Sequence, residues 1–317
     1  MRRCYTTKVW EELLDDVALP GYAAYLVESA FRRLEFDVYE HVRMLFSVEA
    51  TSDELMAILE RHHHVVHTPT GRGKYLLSLN LRTLTEMARR IHCDGRECAP
   101  LVKFLGEASP TIERCIRNAP SGAQPLGSKP SSTGQSETDF RIIVVQYLSL
   151  GKVRDYAGTA LALDDLLRHS FMTAEVEGVS RACSHQLVRH RLFSYSQESQ
   201  RFSDAVSEGA VIPPSVKANP EAVKVFERYV ADSKEGYSRL RALGIKKEDA
   251  RFLLPAATKT KVLLTGPMWQ VYHAGFYRSS FSDVGEKAQW EINRLFTELY
   301  SCLMRKDELL PPRIGEL

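Results

Sequence analysis

The sequence predicts an α+β protein in which mixed sheets are flanked by long helices and the chain is divided into two units. Three observations carry that expectation. Residues 120–139 are almost wholly Gly, Ser, Pro and polar, with nothing to bury, and read as a flexible linker or surface loop. After it, Phe140-Arg-Ile-Ile-Val-Val-Gln-Tyr147 is a β-branched run typical of a strand. Residues 220–242 repeat apolar positions (Val223, Phe226, Tyr229, Val230, Tyr237, Leu240) at helical spacing. The expected units are 1–119 and 140–317, joined by 120–139.

In the first unit, helical patterning places a helix around Tyr22–Leu34, and Glu40-His41 leads into the apolar run Val42–Val48. Ser52-Asp-Glu resembles a capping box at the next helix start. Lys74–Asn80 reads as a short strand, followed by a helix from Arg82 to about Ile91. In the second unit, Leu161–His169 looks helical, and Phe171–Glu177 alternates as a strand closed by Gly178. Ser180 has the character of an N-cap for a helix reaching about Leu192. Pro213 and Pro214 end the next stretch, Thr260–Thr265 is strand-like up to Gly266-Pro267, and a last helix runs from near Lys287 to about Arg305.

Composition bounds the function. With 317 residues, 44% hydrophobic and 26% charged, the chain can bury a core. A net charge of +2 argues against generic nucleic-acid coating. No apolar run reaches the roughly 18–20 residues of a membrane span, and the N-terminus lacks a signal-peptide pattern. Six scattered cysteines without a Cys-x-x-Cys pair suit reduced thiols, so a cytoplasmic protein is expected.

The richest stretch is 181–201. It sets Arg181, Arg189, Arg191, Arg201, His185 and His190 among serines and the glutamines Gln186 and Gln197. On a continuous helix, His185 with Arg189 and Gln186 with His190 would share faces. Guanidiniums bind phosphates and polarised carbonyls through fixed forks of donors. The bland alternative is a solvated basic helix face, but the apolar share is too low for an ordinary packed helix. Ser199 lacks a Gly-x-Ser-x-Gly elbow and reads as a ligand-binding hydroxyl rather than a nucleophile. His62–His67 lacks the Glu or Cys partners of a zinc site and reads as a surface cluster, so no metal is expected. Gly71-Arg-Gly73 lacks the third glycine of a phosphate loop.

Arg189-His190-Arg191, seven residues and then Ser199 resembles the signature of the flavin-dependent thymidylate synthases. His185-Gln186, Arg201-Phe202, Arg251-Phe-Leu-Leu-Pro255, Arg278 and Ala288-Gln-Trp-Glu-Ile292 extend the resemblance over about residues 140–310. It implies the fold of that family and reductive methylation of dUMP to dTMP. Methylenetetrahydrofolate would be the carbon donor and NADPH-reduced FAD the hydride donor. It also implies that Arg189, His190, Arg191 and His169 face the flavin, and that Gln186, Gln197, Ser199, Arg201, Arg251 and Arg278 hold dUMP. Ser199, Arg201 and Arg278 would be the catalytic contacts.

The departures matter as much. Where the family carries an Asn-x-Arg that grips FAD, the second unit reads Pro267-Met268-Trp269; its Glu-His is Arg168-His169; and the His before Ala-Gln-Trp is Lys287, after an insertion at Ser279–Glu286. The first unit resembles the missing pieces, with Glu40-His41 and Asn80-Leu-Arg82. Residues 1–119 are therefore expected to be a shortened, diverged repeat of the synthase fold. His41, Asn80 and Arg82 would complete a flavin site in a homo-oligomer, either a dimer of fused pairs or a tetramer. The competing readings are a non-catalytic flavin- or nucleotide-binding relative, a nucleic-acid module and a zinc protein.

Overall fold

A computed structural model describes residues 36–60, 62, 65–93, 131–132, 140–203 and 209–315. The expected helix Tyr22–Leu34, most of 120–139 and His63 lie outside the described residues. Within them, a two-turn 3-10 helix (Phe36–His41) leads into β1 (Arg43–Glu49), α1 (Ser52–Leu59), the hairpin β2 (Val66–Gly71) and β3 (Lys74–Asn80), and α2 (Leu81–Cys93). The short β4 (Ser131–Ser132) precedes β5 (Arg141–Leu148), α3 (Leu150–Ala157), α4 (Leu163–His169), β6 (Phe171–Ser180), α5 (Arg181–Leu187) and β7 (Ser194–Gln197). An excursion of helices α6 (Pro214–Lys217), α7 (Pro220–Ala242) and α8 (Lys247–Ala250) follows, then β8 (Lys259–Pro267), α9 (Met268–Arg278) and α10 (Trp290–Met304).

The strands form a three-stranded sheet, order β1-β3-β2, and a five-stranded sheet, order β4-β5-β6-β8-β7. The α+β class holds, but the sheets are not mixed, because every described ladder is antiparallel. Two helices, α3 and α4, connect β5 to β6. They carry the chain out and back, so β6 starts at the end where β5 stopped. Ser131 and Ser132, within the expected linker, pair with Val144 and Ile143 along the otherwise open edge of β5.

Other boundaries shift for local reasons. The strand from Phe171 passes through Gly178, whose φ of 86° carries a bulge between Glu177 and Val179. Thr51, rather than Ser52, caps α1: its hydroxyl accepts from the Glu54 amide and the Glu54 carboxylate accepts from the Thr51 N–H. Strand β2 and helices α3 and α9 had no clear sequence signal of their own. In α10, Ile292, Leu295, Phe296 and Leu299 are fully buried as expected, whereas Trp290, in the first turn, is only half-buried. The long α7 forms as read, but its apolar stripe is mostly half-exposed, and Tyr237 alone is buried.

The two sheets pack on each other. Alternation along β3 sends Leu77 and Leu79 into a small core with Tyr39, Leu55 and Leu84, while Leu76 enters the main core of the larger sheet. Ser78 and Asn80 share the Leu76 face and so look towards the second sheet. The element sequence also repeats. A turn ending in His41 or His169 leads into β1 or β6, then a helix, a second strand, a third strand and a closing helix. In both sheets the third strand sits between the other two.

Candidate functional site

The stretch containing Arg189-His190-Arg191 is held at both ends. Ser180 caps α5, its hydroxyl accepting from the Cys183 N–H at 2.9 Å. Buried Glu291 on α10 accepts from both the Ser180 N–H (2.7 Å) and the Ser180 hydroxyl (2.6 Å). The helix stops at Leu187, not Leu192, because the chain turns to feed β7. The Tyr195 hydroxyl lies within donating distance of the carbonyls of Leu187 (2.6 Å) and His190 (3.0 Å), which also accept from the backbone N–H groups of His190 and Phe193. Arg189 and His190 therefore lie on a tight loop, and the helical pairings with His185 and Gln186 do not form.

That loop and the first sheet enclose a cleft of about 280 Å³. One wall carries Glu40, Arg43, Asn80, Arg82 and Glu86; the other carries Arg191, Leu192, Phe193 and Ser194. Arg82 is tied to Glu40 (2.5 Å) and to Glu86 (2.9 Å). The Asn80 carbonyl oxygen accepts from the Thr83 N–H (2.8 Å) and hydroxyl (2.9 Å), leaving its amide NH₂ as the group to offer a ligand. Arg43 and Arg191 face the cleft from opposite walls, and neither has a carboxylate partner among the described residues. Burial lowers Arg43 to about 10.

The two sheets exchange histidines. His41 bridges to the Thr265 hydroxyl at 2.8 Å and to the Ser196 hydroxyl at 2.9 Å. His169 meets the Ser78 hydroxyl at 2.7 Å, and the Thr68 hydroxyl donates to Asp165 at 2.8 Å. Thus neither His41 nor His169 lines the cleft; both lock the sheets together around it. His169 is 1% exposed and its Nε2 has no partner; burial pushes its pKa down to about 4. His190 packs edge-on against Phe296, and burial, then the charges of Arg278 and His273, lower it to about 4 as well. Arg189 is exposed beyond the cleft wall.

A second cluster lies at the other end of β7. Arg201 pairs with the Glu248 carboxylate at 2.9 Å, and the Arg251 Nε donates to the Glu248 carbonyl at 3.1 Å. Ser199 begins the turn that presents Arg201, its carbonyl accepting from Phe202 and Ser203. An open pocket of about 450 Å³ there is lined by Arg201, Phe202, Arg241, Lys246, Lys247 and Glu248. Gln197 points inward to Ser184 (2.9 Å) and Thr260 (3.3 Å). Gln186 touches Gln289 at 3.5 Å, and Arg278 stands near His190 with its Nε buried and unpaired. The structure brings Asn80, Arg82 and Arg191 to one cleft and Arg201 and Arg251 to one cluster. It leaves Gln186 and Arg278 apart from both.

Comparison with known proteins bears on the second part of the chain. Residues 155–307 match the family model described as thymidylate synthase complementing protein. The flavin-dependent thymidylate synthase of Thermococcus onnurineus is 37% identical over 152 residues, 47% of this chain and 60% of that protein. That of Geobacter sulfurreducens is 40% identical over 142 residues, 44% of this chain and 59% of that protein. The resemblance is to that family. The chain spans about 60% of the length of these relatives. A solved structure of the UMP/dUMP methylase PolB from Streptomyces cacaoi with 5-Br dUMP has a TM-score of 0.45 and 18% identity, covering 54% of this chain and 92% of its own. No helix among the described residues is long and apolar enough to cross a membrane.

Sequence reasoning missed Arg43, Arg241, Lys246 and Lys247. A guanidinium opening an otherwise apolar strand was the available signal for Arg43; Lys246-Lys247 looked like any solvated pair. His67, the last residue of the His62–His67 cluster, lies exposed in β2.

Proposed function

We propose that this protein is a flavin-dependent thymidylate synthase, methylating dUMP to dTMP with methylenetetrahydrofolate as carbon donor and NADPH as the source of reducing equivalents. The observation that carries the reading is the cleft. Two guanidiniums without a carboxylate partner among the described residues, Arg43 and Arg191, line it together with Asn80 and the braced Arg82. Cations left without a carboxylate and lining one cavity suit the diphosphate of a dinucleotide. The residues present fit FAD in that respect. At about 280 Å³ the cleft admits part of such a molecule, with the remainder over its open mouth.

In this reading Asn80, Arg82, Arg43 and Arg191 hold the flavin, whose ring supplies the hydride. His41 and His169 act as positioning residues, since their rings fix the sheet-to-sheet distance that sets the cleft width. Arg189 and His190 extend the flavin-facing surface at the loop. Ser199, Arg201 and Arg251 hold the nucleotide phosphate through the turn at the end of β7; Gln197, Gln186 and Arg278, which lie apart from that cluster in the single chain, would reach the base only from another copy in the homo-oligomer. The protein supplies orientation and fixed positive charge rather than a nucleophile.

Residues 1–119 are, in the same proposal, a shortened repeat fused to the synthase unit at 140–317. The matching element order, the shared strand order and the reciprocal histidine contacts support that reading. Tyr229 and Phe252, 69% and 83% exposed on and beside α7, are an apolar surface suited to burial in a homo-oligomer. The test is dTMP formation by the full chain supplied with dUMP, methylenetetrahydrofolate, FAD and NADPH. Product that depends on all four supports the proposal. Bound FAD without product under any reductant contradicts it and leaves a non-catalytic relative.

A further inference from the structure

The cleft assigned to flavin has a counterpart in the second sheet. Arg43 pairs with Asn80 across β1 and β3, and Phe171 pairs with Pro267 across β6 and β8. Two residues beyond each partner stand Arg82 and Trp269; four further on stand Glu86 and His273. Ahead of the first strands are Glu40-His41 and Arg168-His169. The two sets occupy matching places in matching elements, and their chemistry is inverted.

In the first set the Arg82 guanidinium lies between the carboxylates of Glu40 and Glu86. In the second set the indole of Trp269 is covered by the Arg168 guanidinium, 5.1 Å from the ring centroid, and by the His273 imidazole, stacked at 4.9 Å and 12°. Its only polar atom, Nε1, donates to Asp164 at 2.8 Å, and Asp164 also holds Arg168 at 2.6 Å. Phe171 and Pro267 replace the free guanidinium and the amide. The indole Nε1 and the Arg168 Nε both end on Asp164, the two aromatic faces of Trp269 are covered, and no arginine or asparagine stands at the places of Arg43 and Asn80.

We infer that this counterpart cleft is closed by Trp269, that each chain holds one flavin rather than two, and that the closed copy has become a clamp between α4 and α9. The inference rests on the reading of the Arg82 cleft as the flavin site. Its consequence is a division of labour: the residues at matching positions bind ligand in one sheet and hold structure in the other.

The experiment is a flavin count on the full chain, saturated with FAD, freed of excess by gel filtration, and quantified by flavin absorbance against amino-acid analysis. One flavin per chain is expected, and two would overturn the inference. No flavin at all removes the Arg82 reading as well, a failure distinct from a count of two. Variants then locate the single flavin. Arg82→Ala should weaken FAD binding by about tenfold or more, while Trp269→Ala should keep the count at one and lower the melting temperature. Should Trp269→Ala not fold, Trp269→Phe, which loses the bond to Asp164 and part of the stacked area but keeps an aromatic ring, serves the same comparison. Flavin lost from a folded Trp269 variant but kept by Arg82→Ala would place the ligand in the wrong copy and sink the inference.

Discussion

Glu291 ties the last helix to the start of the Arg-His-Arg stretch, and replacing it should show how strongly. Its carboxylate, 3% exposed, accepts two hydrogen bonds from Ser180, at 2.7 Å and 2.6 Å. Hydrogen bonds to a charged group contribute about 1.5–3 kcal/mol each. Glutamine keeps the shape and one acceptor oxygen, so Glu291→Gln loses one of the two and leaves the Ser180 hydroxyl proton without its acceptor. A cost of about 2 kcal/mol follows, or roughly 4–8 °C in melting temperature for a unit of this size. Ser180→Ala removes the hydroxyl and the helix cap, costing about 1 kcal/mol beyond the same bond. Because both variants break one shared contact, the double variant should fall short of the sum by about 1 kcal/mol or more. Thermal unfolding of the four proteins measures this. Strict additivity, or a melting temperature for Glu291→Gln within about 1 °C of the parent, would refute the clamp.

Three further outcomes are expected. Gly266→Ala would place a Cβ 2.4 Å from Phe193 Cδ1 and 3.1 Å from the Leu192 carbonyl. It should destabilise by about 1–3 kcal/mol and weaken FAD binding through the displaced cleft wall, read by denaturant midpoint and flavin titration. His169, held near pKa 4 by burial, is neutral in the folded protein while the unfolded chain titrates near 6.5. The contribution of His169 to stability is thus constant above pH 6.5, falls as pH drops towards 4, and levels below it; its full difference is roughly 3 kcal/mol. His169→Gln should reduce the loss of stability between pH 7 and 5 in urea unfolding by about half, His190 supplying the remainder. Arg201→Ala removes only a half-exposed ion pair with Glu248, worth about 0–1 kcal/mol, so the fold should persist while dUMP binding is lost in calorimetry.

The legible parts were those where one principle dominates locally. Lys74–Asn80 and Pro220–Ala242 have the residue bounds their patterns imply, and Ser180 caps the helix it was expected to cap. The end of α5 was not legible, because Tyr195, eight residues on, supplies the hydroxyl that donates to the Leu187 carbonyl. The direction of the sheets followed from a helix pair whose first member, Leu150–Ala157, is short and half-exposed. Of the residues lining the cleft, Asn80 and Arg82 belong to a motif the sequence offered, and Arg43 does not. Its importance arises only when a second sheet brings Arg191 opposite it. His41 was expected against a ligand and instead spends its ring on Thr265 and Ser196. The sequence contained that histidine's importance and hid its partner.

The central claim is that one flavin site is built from two parts of the chain, and a double-mutant cycle between Arg43 and Arg191 tests it most directly. FAD dissociation constants would be measured for the parent, Arg43→Ala, Arg191→Ala and the pair. The account predicts that each single change weakens binding by about 1.5–3 kcal/mol, and that the pair departs from additivity by at least about 0.5 kcal/mol because both guanidiniums meet one ligand. Unchanged FAD affinity in folded Arg43→Ala would contradict it, since the first sheet would then contribute nothing to the site.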